Sequence, residues 1–349
     1  MESEVDLLTR RFLAALCPLL LPALSFWSGC TRRSPSPTAP NVVVPEPPMQ
    51  PRAEPVADSA VDAFADGEAS VDSGGHPAFT MPALAGPHEW RLVDGKHWQI
   101  LSPPGEDTSV TDEAEKNRGA CRPGMIEVQG NMKTGWLMDE RQQATCSKWI
   151  SRKFPERCAV FDRDKWLAAS RDLPTKALHF CIDRFEWPNR RGEFPLIVVN
   201  WVEAKAICAR DAKRLCTENE WTFACEGEEA TPYPYGYVRD AEACVVDHPW
   251  IAFDPWALGQ RSTEVTKKEL ERLWQGEPSG GRPRCKSVFG VYDMTGNIDE
   301  WTTAVSPGRP SILKGGYWGP VRTRCRPSTR AHGEAHVFYQ QGLRCCADP

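Results

Sequence analysis

The sequence predicts an α+β domain with little regular secondary structure, carried behind a long proline-rich tether. Three observations lead there. Of 31 prolines, 15 crowd the first third, whereas 11 of the 14 tryptophans lie beyond it. Two helices in the later part carry complete start signals. Around them run only short strand-like segments, separated by loops rich in glycine, proline and aromatic residues.

The first helix follows Asn200. Glu203 stands three residues on, and Ala204, Ile207 and Cys208 fall at i, i+3 and i+4, the stripe of an amphipathic helix. The second begins at Thr217-Glu218-Asn219-Glu220. There a hydroxyl and a carboxylate can reciprocally satisfy the first free backbone N–H groups, with Trp221, Ala224 and Cys225 turned inward. Met125 to Val128 alternates in the manner of a strand. His179 to Trp187 is a second strand candidate, with Phe180 and Ile182 on one face. Phe194 to Val199 (FPLIVV) is an apolar run expected to be a buried strand.

Thr31 to about Lys116 is rich in Pro, Ala, Ser and Asp. It lacks sustained periodicity and cannot bury enough apolar surface to offset chain entropy. It reads as a disordered tether partly extended by its prolines, and Trp90 to Ile100 is left within it. Before it, Arg10 and Arg11 precede the apolar run Phe12 to Trp27, which Ser28, Gly29 and Cys30 follow. That order is a signal-peptide layout, and a cysteine directly after small residues resembles a bacterial lipoprotein acceptor site. The expected organisation is a signal peptide at 1–29, a linker at 30–118 and a domain at 119–349. The expected location is the cell envelope, lipid-anchored through Cys30 or secreted.

A net charge of -5 without a basic stripe argues against nucleic-acid partners. The 14 cysteines are scattered and show no repeated C-x-x-C spacing, which argues against a zinc ribbon. In an exported chain they read as a disulfide framework. No P-loop, nucleophile elbow or dinucleotide fingerprint is present. His332 and His336 are spaced i, i+4, but Gly333 and the loop character around them argue against a helical metal pair.

Seven segments together resemble the sulfatase-modifying-factor family, the group that includes formylglycine-generating enzymes. They are MIEVQGN from Met125, FCIDRFEWPN from Phe180, the block from Ile197 to Gly227, YPYG from Tyr233, FGVYDMTGNIDEWT from Phe289, LKGGYWGPVRTRCRPSTRA from Leu313 and QGLRCC from Gln341. The resemblance covers about Cys121 to Asp348 and implies a C-type-lectin-like fold: a few helices and long irregular loops over a small twisted sheet. Cys216 stands where the family usually has proline.

The resemblance also implies a calcium loop. Asp293 and Glu300 would supply side-chain oxygens, and Met294, Gly296 and Ile298 backbone carbonyls, in keeping with the six to eight oxygens calcium takes. A second family calcium position falls near Val245, with Asp247 beside it. Arg330 and Arg344 match family arginines and read as structural.

Formylglycine formation in the family needs two cysteines that hold copper(I), a soft ion suited to thiolates. By spacing, the second falls on Cys325 and the first on Pro320. Cys325 is expected in a disulfide, with Cys345 or Cys346 as candidate partners. The leading functional expectation is therefore a non-oxidase binding or scaffold module for a protein or small ligand at the cell envelope. Trp250, Trp256, Trp274, Trp318, Tyr317 and Tyr339 are candidate lining residues. The alternative is a copper-dependent formylglycine-generating oxidase using Cys325. A third reading, an iron-dependent sulfoxide synthase, needs a helical histidine-bearing partner domain, and the N-terminal third does not resemble one.

Overall fold

Residues 88–102 and 119–349 are described in a computed structural model. The readings placed on Cys30, the signal peptide and most of the linker lie outside these residues.

The fold is α+β, as the sequence predicts. A four-stranded sheet has the order β3 (Met125–Lys133), β6 (Thr175–Asp183), β12 (Cys345–Ala347) and β7 (Arg214–Leu215). The β3–β6 pair is a nine-residue antiparallel ladder from Met125↔Asp183 to Lys133↔Thr175. A second four-stranded sheet has the order β10 (Ser328–Thr329), β9 (Ser311–Lys314), β8 (Asp299–Thr303) and β11 (Gln341–Leu343). Its β11–β8 pair is parallel and aligns Gln341 with Asp299 and Leu343 with Trp301. Two hairpins complete the strands: β1 (Trp90–Val93) with β2 (His97–Ile100), and β4 (Cys146–Ser151) with β5 (Arg157–Phe161).

Both expected helices form with both halves of their capping boxes. Helix α3 (Trp201–Arg210) starts at Asn200, whose side chain accepts the Glu203 N–H, while α4 (Glu218–Glu226) starts at Thr217, whose hydroxyl accepts the Glu220 N–H. Ala204, Ile207 and Cys208 are buried, as are Trp221, Ala224 and Cys225. Arg214 then donates to both oxygens of Glu220, at 2.8 and 2.6 Å. Four helices have no counterpart among the expectations: α1 (Met138–Gln143), α2 (Arg163–Ser170), α5 (Pro255–Gly259) and α6 (Glu264–Leu273).

Two expectations are corrected. Phe194 to Val199 is buried, but it is not a strand: Val198 sits at φ 63°, and only Ile197 forms an isolated bridge, to Trp98. Left-handed backbone at a β-branched residue ends any strand there. The linker boundary at 118 also fails over 90–100. That stretch is the β1–β2 hairpin, turning at Asp94 (φ 52°) and Gly95 (φ 65°). Its Trp90, Trp98 and Ile100 join the core cluster of Phe194, Trp274 and Trp318.

All twelve cysteines from Cys121 onward are paired: Cys121–Cys181, Cys146–Cys158, Cys208–Cys345, Cys216–Cys346, Cys225–Cys325 and Cys244–Cys285. Cys345 and Cys346 thus tie the last strand to α3 and to the start of α4. Cys325 pairs with neither of them.

Candidate functional site

The loop from Asp293 to Glu300 reaches β8 through tight left-handed turns at Asp293 (φ 56°), Gly296 (φ 81°) and Asn297 (φ 56°). Glycine is required at 296, because a Cβ there would lie 2.2 Å from the Val245 carbonyl oxygen. The Asn297 N–H donates to that same oxygen at 3.0 Å. Val245 is core, and Asp247 is held by Arg157 at 3.1 Å and by Arg239 at 2.7 and 2.8 Å.

The loop brings three buried carboxylates around one guanidinium. Arg344, fully buried, donates from Nε to Glu300 Oε2 at 2.6 Å and from Nη2 to Glu300 Oε1 at 2.7 Å. Trp221 Nε1 adds a third bond to Glu300 Oε2 at 2.8 Å. Asp293 Oδ2 accepts the Gly280 N–H at 2.6 Å. Glu186, which the sequence reading did not single out, accepts from Ser279 Oγ and Asn297 Nδ2, each at 2.7 Å, through Oε2. Its Oε1 is buried without a hydrogen-bond partner.

Burial, with Asp293 and Glu300 nearby, raises the Glu186 carboxyl well above its ordinary range. Burial likewise pushes Asp293 up to about 7. With all three carboxylates ionised, the guanidinium leaves two negative charges unmatched. Among the described residues, however, no group of three or more His, Cys, Asp or Glu side chains is arranged to hold a metal ion. Glu300 is already committed to Arg344 and Trp221.

Successive residues of a strand face opposite ways, so Asp299 turns away from this cluster. It lies in a cavity of about 530 Å³ whose walls include Phe154, Trp250, Phe253, Tyr317, Phe338 and Tyr339, with His332 and His336 also lining it. Asp299 is surrounded by protein, yet part of its surface opens into the cavity. Burial pushes its carboxyl up to about 7; the bond from the Gly316 N–H opposes that shift and the charge of Glu300 adds to it. Of the expected lining residues, Trp250, Tyr317 and Tyr339 do line it. Trp274 and Trp318 are core, and Trp256 is exposed outside it. His332 and His336 are not helical; their rings stack with centroids 3.9 Å apart.

The Gly315–Gly316 turn, at φ 90° and 70°, forms part of the same cavity. Pro320 and Cys325 follow it. Cys325 is buried, its sulfur is bonded to Cys225 on α4, and its N–H donates to the Pro232 carbonyl at 2.9 Å. A two-thiolate copper(I) site does not fit these residues: one position carries no sulfur, and the other's sulfur is in a disulfide.

The family profile described as the sulfatase-modifying factor enzyme 1-like domain matches residues 164–349, just over half of the chain. The chain belongs to that family. Among relatives in this sulfatase-modifying-factor group, the inactive C-alpha-formylglycine-generating enzyme 2 of Bos taurus is 29% identical over 161 residues, 40% of this chain and 44% of that protein. The formylglycine-generating enzyme of Mycobacterium tuberculosis is 26% identical over 195 residues, 46% of this chain and 59% of that protein. The chain thus spans about half the length of these curated relatives. Among solved structures, PvdO from Pseudomonas aeruginosa is 16% identical with a TM-score of 0.39, the match covering 70% of this chain and 100% of that one.

Proposed function

We propose that this sulfatase-modifying-factor domain is a non-oxidase binding module, exported to the cell envelope and stabilised by disulfides and calcium. The observation that carries the reading is the Cys225–Cys325 bond, with Pro320 at the position of the other expected thiol. The aromatic cavity is the site this reading assigns to the ligand. It lies within the size range of small-molecule pockets, roughly 300–1,000 Å³.

The test is a mass-spectrometric turnover assay. The copper(I)-loaded chain is incubated with a cysteine peptide bearing a sulfatase motif, beside a functional formylglycine-generating enzyme as control. No formylglycine is expected from this chain. Turnover that Cys325→Ser abolishes would restore the oxidase, the reading this one displaces.

Calcium belongs to the proposal through the charge deficit around Glu186, Asp293 and Glu300. An ion that binds only the folded state stabilises it by about 2.7 kcal/mol at one hundred times its Kd. Calcium should therefore raise the melting temperature and a chelator should reverse the rise. Asp293→Asn should abolish the shift; it is a cleaner probe than Glu300→Ala, because Glu300 also neutralises Arg344. A melting temperature that ignores both calcium and chelator would remove the ion from the account.

Export and lipid attachment at Cys30 are read by palmitate labelling in the native host. An unlabelled full-length chain in the cytosol would contradict both.

A further inference from the structure

We propose that the aromatic cavity binds a small organic ammonium ion, with Asp299 as its counter-charge. This deepens the binding-module reading and rests on it. Asp299 lies among the side chains of Trp250, Phe253, Tyr317, Phe338 and Tyr339. The faces of such rings carry partial negative charge and attract cations placed over them. Among the described residues no salt bridge to Asp299 is seen, and the bond to its carboxylate comes from the Gly316 backbone. The arginine nearest in sequence logic, Arg344, is spent on Glu300 at 2.6 Å on the other face of β8.

Arg322, which does line the cavity, is not free to serve Asp299. Arg322 donates to Glu156 Oε2 at 2.7 Å and lies 3.7 Å from Asp139. The imidazole Nδ1 of His336 is bonded with the Gln341 side chain, 3.0 Å from its Nε2. The cavity thus presents aromatic faces and a carboxylate to which, among the described residues, no salt bridge is seen. An anionic ligand would be repelled by Asp299. A neutral apolar ligand would displace water from it without supplying a partner, which penalises burial of a polar group. An ammonium bearing methyl or methylene groups satisfies both features: its charge meets the carboxylate, and its polarised carbon shell meets the rings. About 530 Å³ leaves room for an organic substituent beyond the ammonium head.

The test uses the full chain in titration calorimetry at pH 8, with choline and benzyltrimethylammonium as cationic probes. The neutral isostere of choline, 3,3-dimethylbutan-1-ol, is the comparison. At least one cation is expected to bind tenfold or more tightly than the isostere. Asp299→Asn should lose tenfold or more of that affinity at an unchanged melting temperature. Phe253→Leu, on the aromatic wall, should weaken the cation while sparing the isostere, and it decides the matter if Asp299→Asn fails to fold. Equal binding of cation and isostere, no binding of either cation, or full affinity in both variants would overturn the assignment. Those results leave the non-oxidase reading standing, whereas peptide turnover in the copper assay overturns that reading itself, so the two failures are distinguishable.

Discussion

Arg344→Met should cost about 3–5 kcal/mol, the usual penalty for leaving a buried charge without its partner. Its guanidinium holds both oxygens of Glu300 and also donates to the Tyr292 carbonyl at 2.9 Å. Glu186 and Asp293 lean on the same positive charge. Removing it leaves three carboxylates in a region shielded from water, and a loss of this size is a large part of a typical folding free energy of about 5–15 kcal/mol. Denaturant unfolding measures it. The double variant Arg344→Met with Glu300→Leu should recover much of the loss, since replacing both members of a buried pair by apolar groups is often tolerated. A single-variant loss below about 1 kcal/mol, the range of an exposed ion pair, would contradict the cluster.

Reduction should be larger still. The Cys208–Cys345, Cys216–Cys346 and Cys225–Cys325 bonds span 137, 130 and 100 residues of sequence. In the loop-entropy account a bond closing about 100 residues contributes about 4.7 kcal/mol. Three such bonds together reach or exceed the whole stability of a typical domain. Dithiothreitol in mild denaturant is therefore expected to abolish the cooperative melt and the near-ultraviolet dichroism of the buried tryptophans. A reduced protein melting where the oxidised one does would show that the bonds are incidental.

What the sequence made legible follows the range of each interaction. The helices after Asn200 and Thr217 were readable because a capping box is closed within three residues. That Asp293 and Glu300 share one loop was readable because they stand on one short segment. Glu186 was not, since its partners Ser279 and Asn297 lie 93 and 111 residues away. The place of Asp299 in the cavity became visible only once β8 set it on the face opposite Glu300. The cysteine pairing was closed to sequence reasoning in principle, which is why Cys225 was not foreseen as the partner of Cys325.

Other misses had local signals. Asp94-Gly95, in the three-residue connection between WRLV and HWQI, is a turn dipeptide suited to left-handed backbone, and it marks β1–β2 inside the expected tether. In α6, Thr263 caps a helix whose Thr266, Leu270 and Leu273 fall on one buried face, a 3.6-residue period that the charges between them obscure. The opposite error occurred at FPLIVV, where apolar content alone suggested a strand and the backbone turn at Val198 prevents one.

The account turns on the state of one sulfur. Non-reducing peptide mapping of the native chain, alkylated before digestion, reads it directly. A peptide pair joined through Cys225 and Cys325, with neither residue alkylated, is the predicted result. Cys325 recovered as the alkylated free thiol from folded protein would contradict it.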